Sequence, residues 1–72
     1  MTEIFYRPHS TNVASVEYEE QVSEMIVTFK SGVKYIVKGV DQNLFERFKR
    51  AQSAGKFYNE SVKDAGYDIE RM

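Results

Sequence analysis

The sequence predicts an α+β fold in which a three-stranded antiparallel β-meander is packed on one face by two C-terminal helices. Apolar and polar residues alternate in three runs along the first half of the chain, as is typical of half-buried strands. After Val40 the apolar residues recur at helical spacing instead. With 72 residues, the chain is expected to be one domain spanning residues 1–72, near the smallest size at which one hydrophobic core suffices.

The three strands are predicted at residues 14–19, 25–30 and 33–37. Residues 1–9 precede this pattern and contain Pro8, so we expect them to form a short extended arm. The compact unit is therefore expected to begin near Ser10.

The turn between the second and third strands determines their register. A two-residue loop would place Lys30 opposite Val33 and break the alternation, whereas a three-residue loop at 30–32 pairs Phe29 with Val33. Gly32 then occupies the left-handed position that a type I turn with a bulge requires. This register pairs Val27 with Tyr35 and Met25 with Val37 on the inner face, and Ile26 with Ile36, Thr28 with Lys34 and Glu24 with Lys38 on the outer face.

A first helix is predicted from residue 42 to about residue 52. Asp41 is a favourable N-cap for it, and Val40 and Phe45 have the spacing of a hydrophobic staple. Its cations near the last turn suit the helix dipole.

A second, shorter helix is predicted from residue 56 to about residue 65, with Gly66 as its stop. We place Phe57 on its inward side, which leaves the neighbouring ring of Tyr58 partly exposed. Residues 67–72 are expected to form a loosely packed tail.

The predicted core draws on all three strands and both helices. Because the chain has no cysteine, neither disulfides nor metal–thiolate sites add to the stability that this packing supplies. The core residues are predicted to be Val16, Tyr18, Met25, Val27, Phe29, Val33, Tyr35, Val37, Leu44, Phe48 and Phe57.

The composition argues against an enzyme. His9 is the single histidine, no cysteine is present to accompany it, and none of the four glycines lies in a phosphate-binding loop. Glu17, Glu19 and Glu20 contain enough oxygen ligands for a hard cation, but strand alternation places Glu20 on the opposite face from the other two. We therefore expect no catalytic, metal-binding or cofactor-binding residues, no cofactor and no small-molecule substrate.

The longest apolar runs are three residues long, and the first residues are polar. Such a sequence contains neither a membrane span nor a signal peptide. We expect a cytoplasmic protein that does not bind membranes.

Charge is distributed unevenly along the chain, although the formal net charge is only −1. Residues 1–29 hold one arginine against five glutamates, residues 30–63 hold eight cations against three carboxylates, and residues 64–72 hold one arginine against three carboxylates. The middle of the chain is thus a basic block within an acidic protein. A solvated surface of mixed charge and a nucleic-acid interface both agree with this pattern.

The basic block contains the types of residue that proteins use to bind single-stranded RNA. Aromatic rings stack on bases and cations contact phosphates. We place Tyr35 in the core, so Tyr58 is the better candidate for a stacking platform. The candidate RNA-binding or partner-binding residues are Lys34, Lys38, Lys56, Tyr58, Asn59 and Lys63.

A purely structural interpretation also accounts for part of this segment. Ser53 can cap the second helix, Gly55 can allow a tight junction, and Asn59 can satisfy loop backbone groups. Both interpretations stay open at the level of sequence.

Four segments of the chain form a recognisable ordered set: residues 10–18, the hairpin 29–35, Gly39-Val40 and the spaced residues Ala51, Ser53, Gly55, Phe57 and Asn59. Taken together they resemble the KTSC domain, a small domain named for its occurrence at the C-terminus of some lysyl-tRNA synthetases and also found as stand-alone bacterial and phage proteins. The resemblance covers roughly residues 10–67. It implies a small α+β domain and a role in RNA binding, with no catalytic residues.

Two positions depart from the family's pattern. Its tyrosine-x-tyrosine motif falls on Tyr35-Ile36-Val37, so the second tyrosine is missing. Its Val-Pro before the first helix is Val40-Asp41. A role that needs paired tyrosines therefore does not transfer to this chain.

Two functional hypotheses follow. The first is a non-enzymatic RNA-binding module that uses the six candidate residues. The alternative is a protein-interaction adaptor or regulator, of phage or mobile-element type, that docks on a host transcription or translation complex. The acidic overall balance and the exposed Ile26–Ile36 pair favour this alternative.

Overall fold

The computed structural model describes residues 2–72, which form one five-stranded antiparallel sheet and a helical layer. The strands lie side by side in chain order, and the helical segment falls between the fourth and the fifth. The predicted α+β class, with an antiparallel sheet and two helices, is confirmed. The predicted number of three strands is wrong, because the sheet has five. The elements are β1 (Thr2–Tyr6), β2 (Val13–Glu19), β3 (Glu24–Phe29), β4 (Lys34–Lys38), α1 (Gln42–Arg50), α2 (Ala54–Phe57), a π-helical segment (Tyr58–Lys63) and β5 (Asp68–Arg71).

Both ends of the described chain are strands, which corrects the predicted arm and tail. Within the arm of residues 1–9, Thr2–Tyr6 pair with β2, while Met1 lies outside the described residues. Within the tail of residues 67–72, Asp68–Arg71 pair with β4. Each segment is short and shows little alternation of its own, but pairing satisfies backbone groups that an edge strand would otherwise present.

The predicted register of the β3–β4 hairpin is confirmed. The Phe29 amide donates to the Val33 carbonyl at 2.9 Å, and Gly32 has a φ of +94°. The other five predicted pairs also occur, including Ile26 opposite Ile36 on the face that the helices leave uncovered.

The helices pack on the other face of the sheet, which we call the inner face. Phe45 is fully buried between Phe5, with ring centroids 5.4 Å apart, and Tyr18, at 5.1 Å. The Tyr18 hydroxyl donates to the Val40 carbonyl at 2.9 Å. The predicted core members Val33, Tyr35, Phe29 and Phe57 are only partly buried, whereas the buried core also includes Phe5, Val13, Val40, Phe45, Ala54, Tyr58 and Val62.

Both ends of α1 are capped by side chains. Asp41 Oδ1 accepts from the Leu44 amide at 2.9 Å, as predicted for the N-cap. The helix ends at Arg50, two residues before the predicted end, because Ala51 is extended. There the Arg7 guanidinium donates to the carbonyls of Phe48, Lys49 and Ala51, so it joins the end of β1 to the helix C-terminus.

The second helix begins earlier than predicted and changes type. Ser53 Oγ accepts from the Lys56 amide at 3.3 Å, so the first helical residue is Ala54 rather than Lys56. From Tyr58 the helix is π-helical, and the Asp64 amide donates to the Asn59 carbonyl five residues earlier, at 3.1 Å. Ala54, Tyr58 and Val62, spaced four residues apart, lie on the buried side.

Candidate nucleic-acid interface

A groove of about 570 Å³ opens at one end of the inner face. The loop before β2, the β3–β4 turn, the π-helical segment and β5 surround it. Its lining contains two lysines and no carboxylate. In a protein with more acidic than basic residues, this groove is a locally cationic surface.

The apolar wall of the groove is a set of three rings centred on Phe29. Tyr35 meets it edge-on at 5.7 Å between centroids, and Tyr58 does so at 5.1 Å. Tyr35 points to the inner face as predicted, but it is only half-buried. It therefore presents the more accessible tyrosine ring in the groove.

The expectation that Tyr58 is exposed is wrong. Its side chain is 6% exposed, whereas Phe57 is only half-buried. Burial, and to a smaller extent the nearby Tyr35, raises the pKa of Tyr58 above the ordinary tyrosine value. Tyr58 lies four residues after the buried Ala54 and four before the buried Val62, so it shares their inward face. The prediction began the helix at Lys56 and therefore took Phe57 as the inward residue.

Two predicted residues lie on the open side of the groove. Asn59 and Lys63, four residues apart on the π-helical segment, are both exposed and both line it. Together with Tyr58, they are the part of the predicted set that the structure gathers at one site.

The other three predicted residues lie elsewhere. Lys34 and Lys38 are on the outer face of β4, because their strand neighbours Tyr35 and Val37 face inward. Lys38 forms an ion pair with Glu70 at 2.6 Å, which raises the pKa of the lysine. Lys56 is exposed on α2 and does not line the groove.

Sequence reasoning missed four polar residues of the groove, namely Thr11, Asn12, Lys30 and Ser31. Lys30 was assigned only a place in the turn, yet its Nζ donates to the Pro8 carbonyl at 2.7 Å and its amide donates to the Asn12 carbonyl at 2.7 Å. These bonds hold the turn against the loop before β2. Asn12 lies in that loop, next to α2. Nothing in the sequence around Asn12 indicates that the loop meets this helix.

Gly55 sets the position of the Asn12 side chain. Gly55 is buried, and a Cβ at this residue would overlap the Asn12 amide group. The tight junction predicted for Gly55 is therefore a contact between α2 and the loop that lines the groove. Ser53 has the capping role of the structural interpretation, whereas the Asn59 side chain faces the groove.

Comparison with known proteins agrees with this architecture. The model of the KTSC domain matches residues 9–67. The chain belongs to the KTSC domain family. No curated protein is significantly similar to it in sequence. Among solved structures, the crystal structure of a KTSC domain protein from Yersinia pestis is similar with a TM-score of 0.85 and 19% identity, covering 100% of this chain and 99% of that one. At this identity the likeness concerns the fold.

Residues 2–72 of this KTSC domain contain neither a membrane-spanning helix nor a cluster of metal-binding side chains. No helix in that range is long and apolar enough to cross a membrane. No cluster of three or more histidine, cysteine or acidic side chains with metal-binding geometry occurs in it either.

Proposed function

We propose that this KTSC domain binds single-stranded RNA in the groove of the inner face. The observation that carries the proposal is the lining itself, which combines aromatic rings, side-chain amides and two lysines without a carboxylate. Single-stranded RNA is bound by this combination, because bases stack on rings, amides pair with base edges and cations meet phosphates.

Each group has a distinct role in the proposed complex. Tyr35, the more accessible of the two tyrosine rings, stacks on a base. Phe29 packs edge-to-face against the Tyr35 ring and fixes its position. Asn59 donates and accepts hydrogen bonds at a base edge. Lys63 contacts phosphate, and Lys30 adds a second positive charge from the other side of the groove.

The test is binding of a fluorescein-labelled oligouridine, followed by anisotropy at low salt. With two lysines in the groove, log K should fall with log salt at a slope of about −1.4, since each phosphate contact on a single strand contributes about −0.7. Lys63→Glu should weaken binding about tenfold and reduce the slope by about half.

The matched control is Lys34→Glu, which makes the same charge reversal on the outer face. It should leave the affinity within about twofold of the unmodified protein. Equal losses in both variants would show that binding follows net charge and not the groove. A salt-independent affinity, or no binding at low salt, would refute the proposal.

The second candidate function is the protein-interaction adaptor, and the outer face of the sheet favours it. Ile26 and Ile36 are opposite each other there, and the helices pack on the other face. Affinity purification with and without nuclease separates the two functions. Partners that survive nuclease and depend on Ile36 support the adaptor, whereas partners that nuclease removes support RNA binding.

A further inference from the structure

The outer face consists of the side chains that alternate away from the core on all five strands. Along its middle runs one row of register partners, each directly opposite the next. The row is Ile4, Glu17, Ile26, Ile36 and Glu70. Aliphatic and acidic side chains thus share a single line across the strands.

From this face we infer that the domain docks a cationic amphipathic helix of another protein. The inference deepens the adaptor function, on which it rests, and is independent of RNA binding in the groove. The partner is defined by its chemistry: an aliphatic stripe flanked by lysine or arginine.

The dimensions of the row fit a helix. Neighbouring strands are about 4.8 Å apart, so the stretch from Ile4 on β1 to Ile36 on β4 spans about 14 Å. A helix rises about 1.5 Å per residue, so a stripe of apolar residues over about ten residues has the same length. Ile4 is 46% exposed, and Ile26 and Ile36 are half-buried, so the row offers apolar area to such a stripe.

The charge of the outer face indicates the sign of the charge on its partner. Among the described residues of this face, five carboxylates accompany two lysines. One of these lysines, Lys38, already forms an ion pair with Glu70. The carboxylates are Glu17, Glu19, Glu24, Asp68 and Glu70.

This excess of negative charge disfavours two other occupants. RNA would bring phosphates against the carboxylates, and a second copy of the chain would place two acidic faces together. A helix with lysines beside its apolar stripe instead meets carboxylates within the row, at Glu17 and Glu70, and along one side of it, at Glu19, Glu24 and Asp68. The other side of the row carries Ser15, Thr28 and Lys34, so the basic side of the helix faces the carboxylate side. The charge pattern therefore selects the partner class that the apolar row alone would leave open.

The test is a titration of the ¹⁵N-labelled protein with a designed helical peptide of about 15 residues, long enough to span the row. The peptide carries leucine on one face and lysine elsewhere. One control peptide replaces each lysine by glutamate, and another replaces each leucine by serine. We expect amide shifts on β1 to β4, with affinity at least about tenfold weaker for both control peptides.

Variants of the protein localise the interaction. Glu17→Lys and Ile26→Thr should each weaken peptide binding about fivefold or more. Lys63→Glu, in the groove on the other side of the sheet, should leave it unchanged. The same spectra report whether each variant is folded.

Four outcomes would overturn the inference: shifts confined to the groove, equal binding of the glutamate peptide, a concentration-dependent dimer that buries the outer face, or outer-face shifts with oligouridine. The RNA proposal is judged on groove resonances in a separate titration. Its failure is therefore distinguishable from failure of the docking site.

Discussion

The two faces of the sheet are built in different ways. The outer face is regular strand surface, in which each side chain has a fixed neighbour on the next strand. The groove on the inner face is assembled from a turn, a loop, a π-helical segment and the last strand. The outer face therefore follows from strand alternation, whereas the groove depends on contacts between segments distant in sequence.

The difference extends to charge. The outer face carries an excess of carboxylates, and the groove lining has lysines without carboxylates. One small sheet thus separates two surfaces of opposite sign. Variants that affect one surface and spare the other are the direct way to examine this division.

The largest expected effect is that of Phe45→Ala, which removes a fully buried ring between Phe5 and Tyr18. We expect a loss of about 3–5 kcal/mol in the free energy of unfolding. A domain of this size has a total of only about 4–11 kcal/mol. Urea denaturation measures the change, with the exposed Lys49→Ala in the same helix as the control.

Phe45→Ala also tests whether the sheet and the helical layer unfold as one unit. Hydrogen exchange should accelerate in β2 and β3 as well as in the helical layer. If the sheet keeps its full protection while the helices lose theirs, the two layers are independently stable, and the groove can be lost while the outer face is kept.

Arg7→Gln comes next, because it removes the guanidinium that caps the C-terminus of α1. Hydrogen bonds from charged groups contribute about 1.5–3 kcal/mol, so we expect a loss in that range. Amide hydrogen exchange should accelerate mainly at residues 7–12 and 48–51, the two segments that the guanidinium joins. Arg50→Gln, on the exposed side of the same helix end, is the control; equal losses in both would contradict a capping role.

Gly55→Ala should act on the groove alone. The added methyl group displaces the Asn12 amide, whereas alanine is itself favourable in a helix. We expect RNA affinity to fall about threefold, with little change in Tm. In the double variant with Asn12→Gly the two effects should not add, because the overlapping groups are the same pair. Additive losses would show that Gly55 and Asn12 act separately.

The smallest effect on stability is expected for Glu70→Gln, which removes the exposed ion pair with Lys38. Exposed pairs contribute little, so Tm should stay unchanged within error. Affinity for the cationic helical peptide should nevertheless fall, while oligouridine binding should not change. Glu60→Gln, on the exposed side of the π-helical segment, is the control; a drop in Tm for Glu70→Gln alone would give this pair a structural role.

The hairpin and the first helix were predictable because local signals specify them. Gly32 determines the turn, the alternation then determines every pair up to Glu24–Lys38, and Asp41 marks the start of α1. In each case the signal and the structure that it specifies lie within a few residues. The outer face, including the Ile26–Ile36 pair, could be predicted for the same reason.

The edge strands and most of the groove depend on partners far away in sequence. Thr2–Tyr6 become a strand by pairing with β2, and Lys30 meets Pro8 because two separate turns are adjacent. Tyr58 lies inward because it is four residues after Ala54 and four before Val62, both of which are buried. A helix assumed to begin at Lys56 leaves Ala54 out, and its phase then falls on Phe57.

The order of the strands has a consequence for assembly of the fold. Strands β1 to β4 pair across short connections, but β5 reaches β4 only after the whole helical segment has been placed. Since this connection is the longest between paired strands, we expect its closure to come last in folding. Until then β4 has a vacant edge, and at high protein concentration the last strand of a neighbouring molecule competes for it. Refolding at increasing concentration should accordingly produce strand-exchanged dimers.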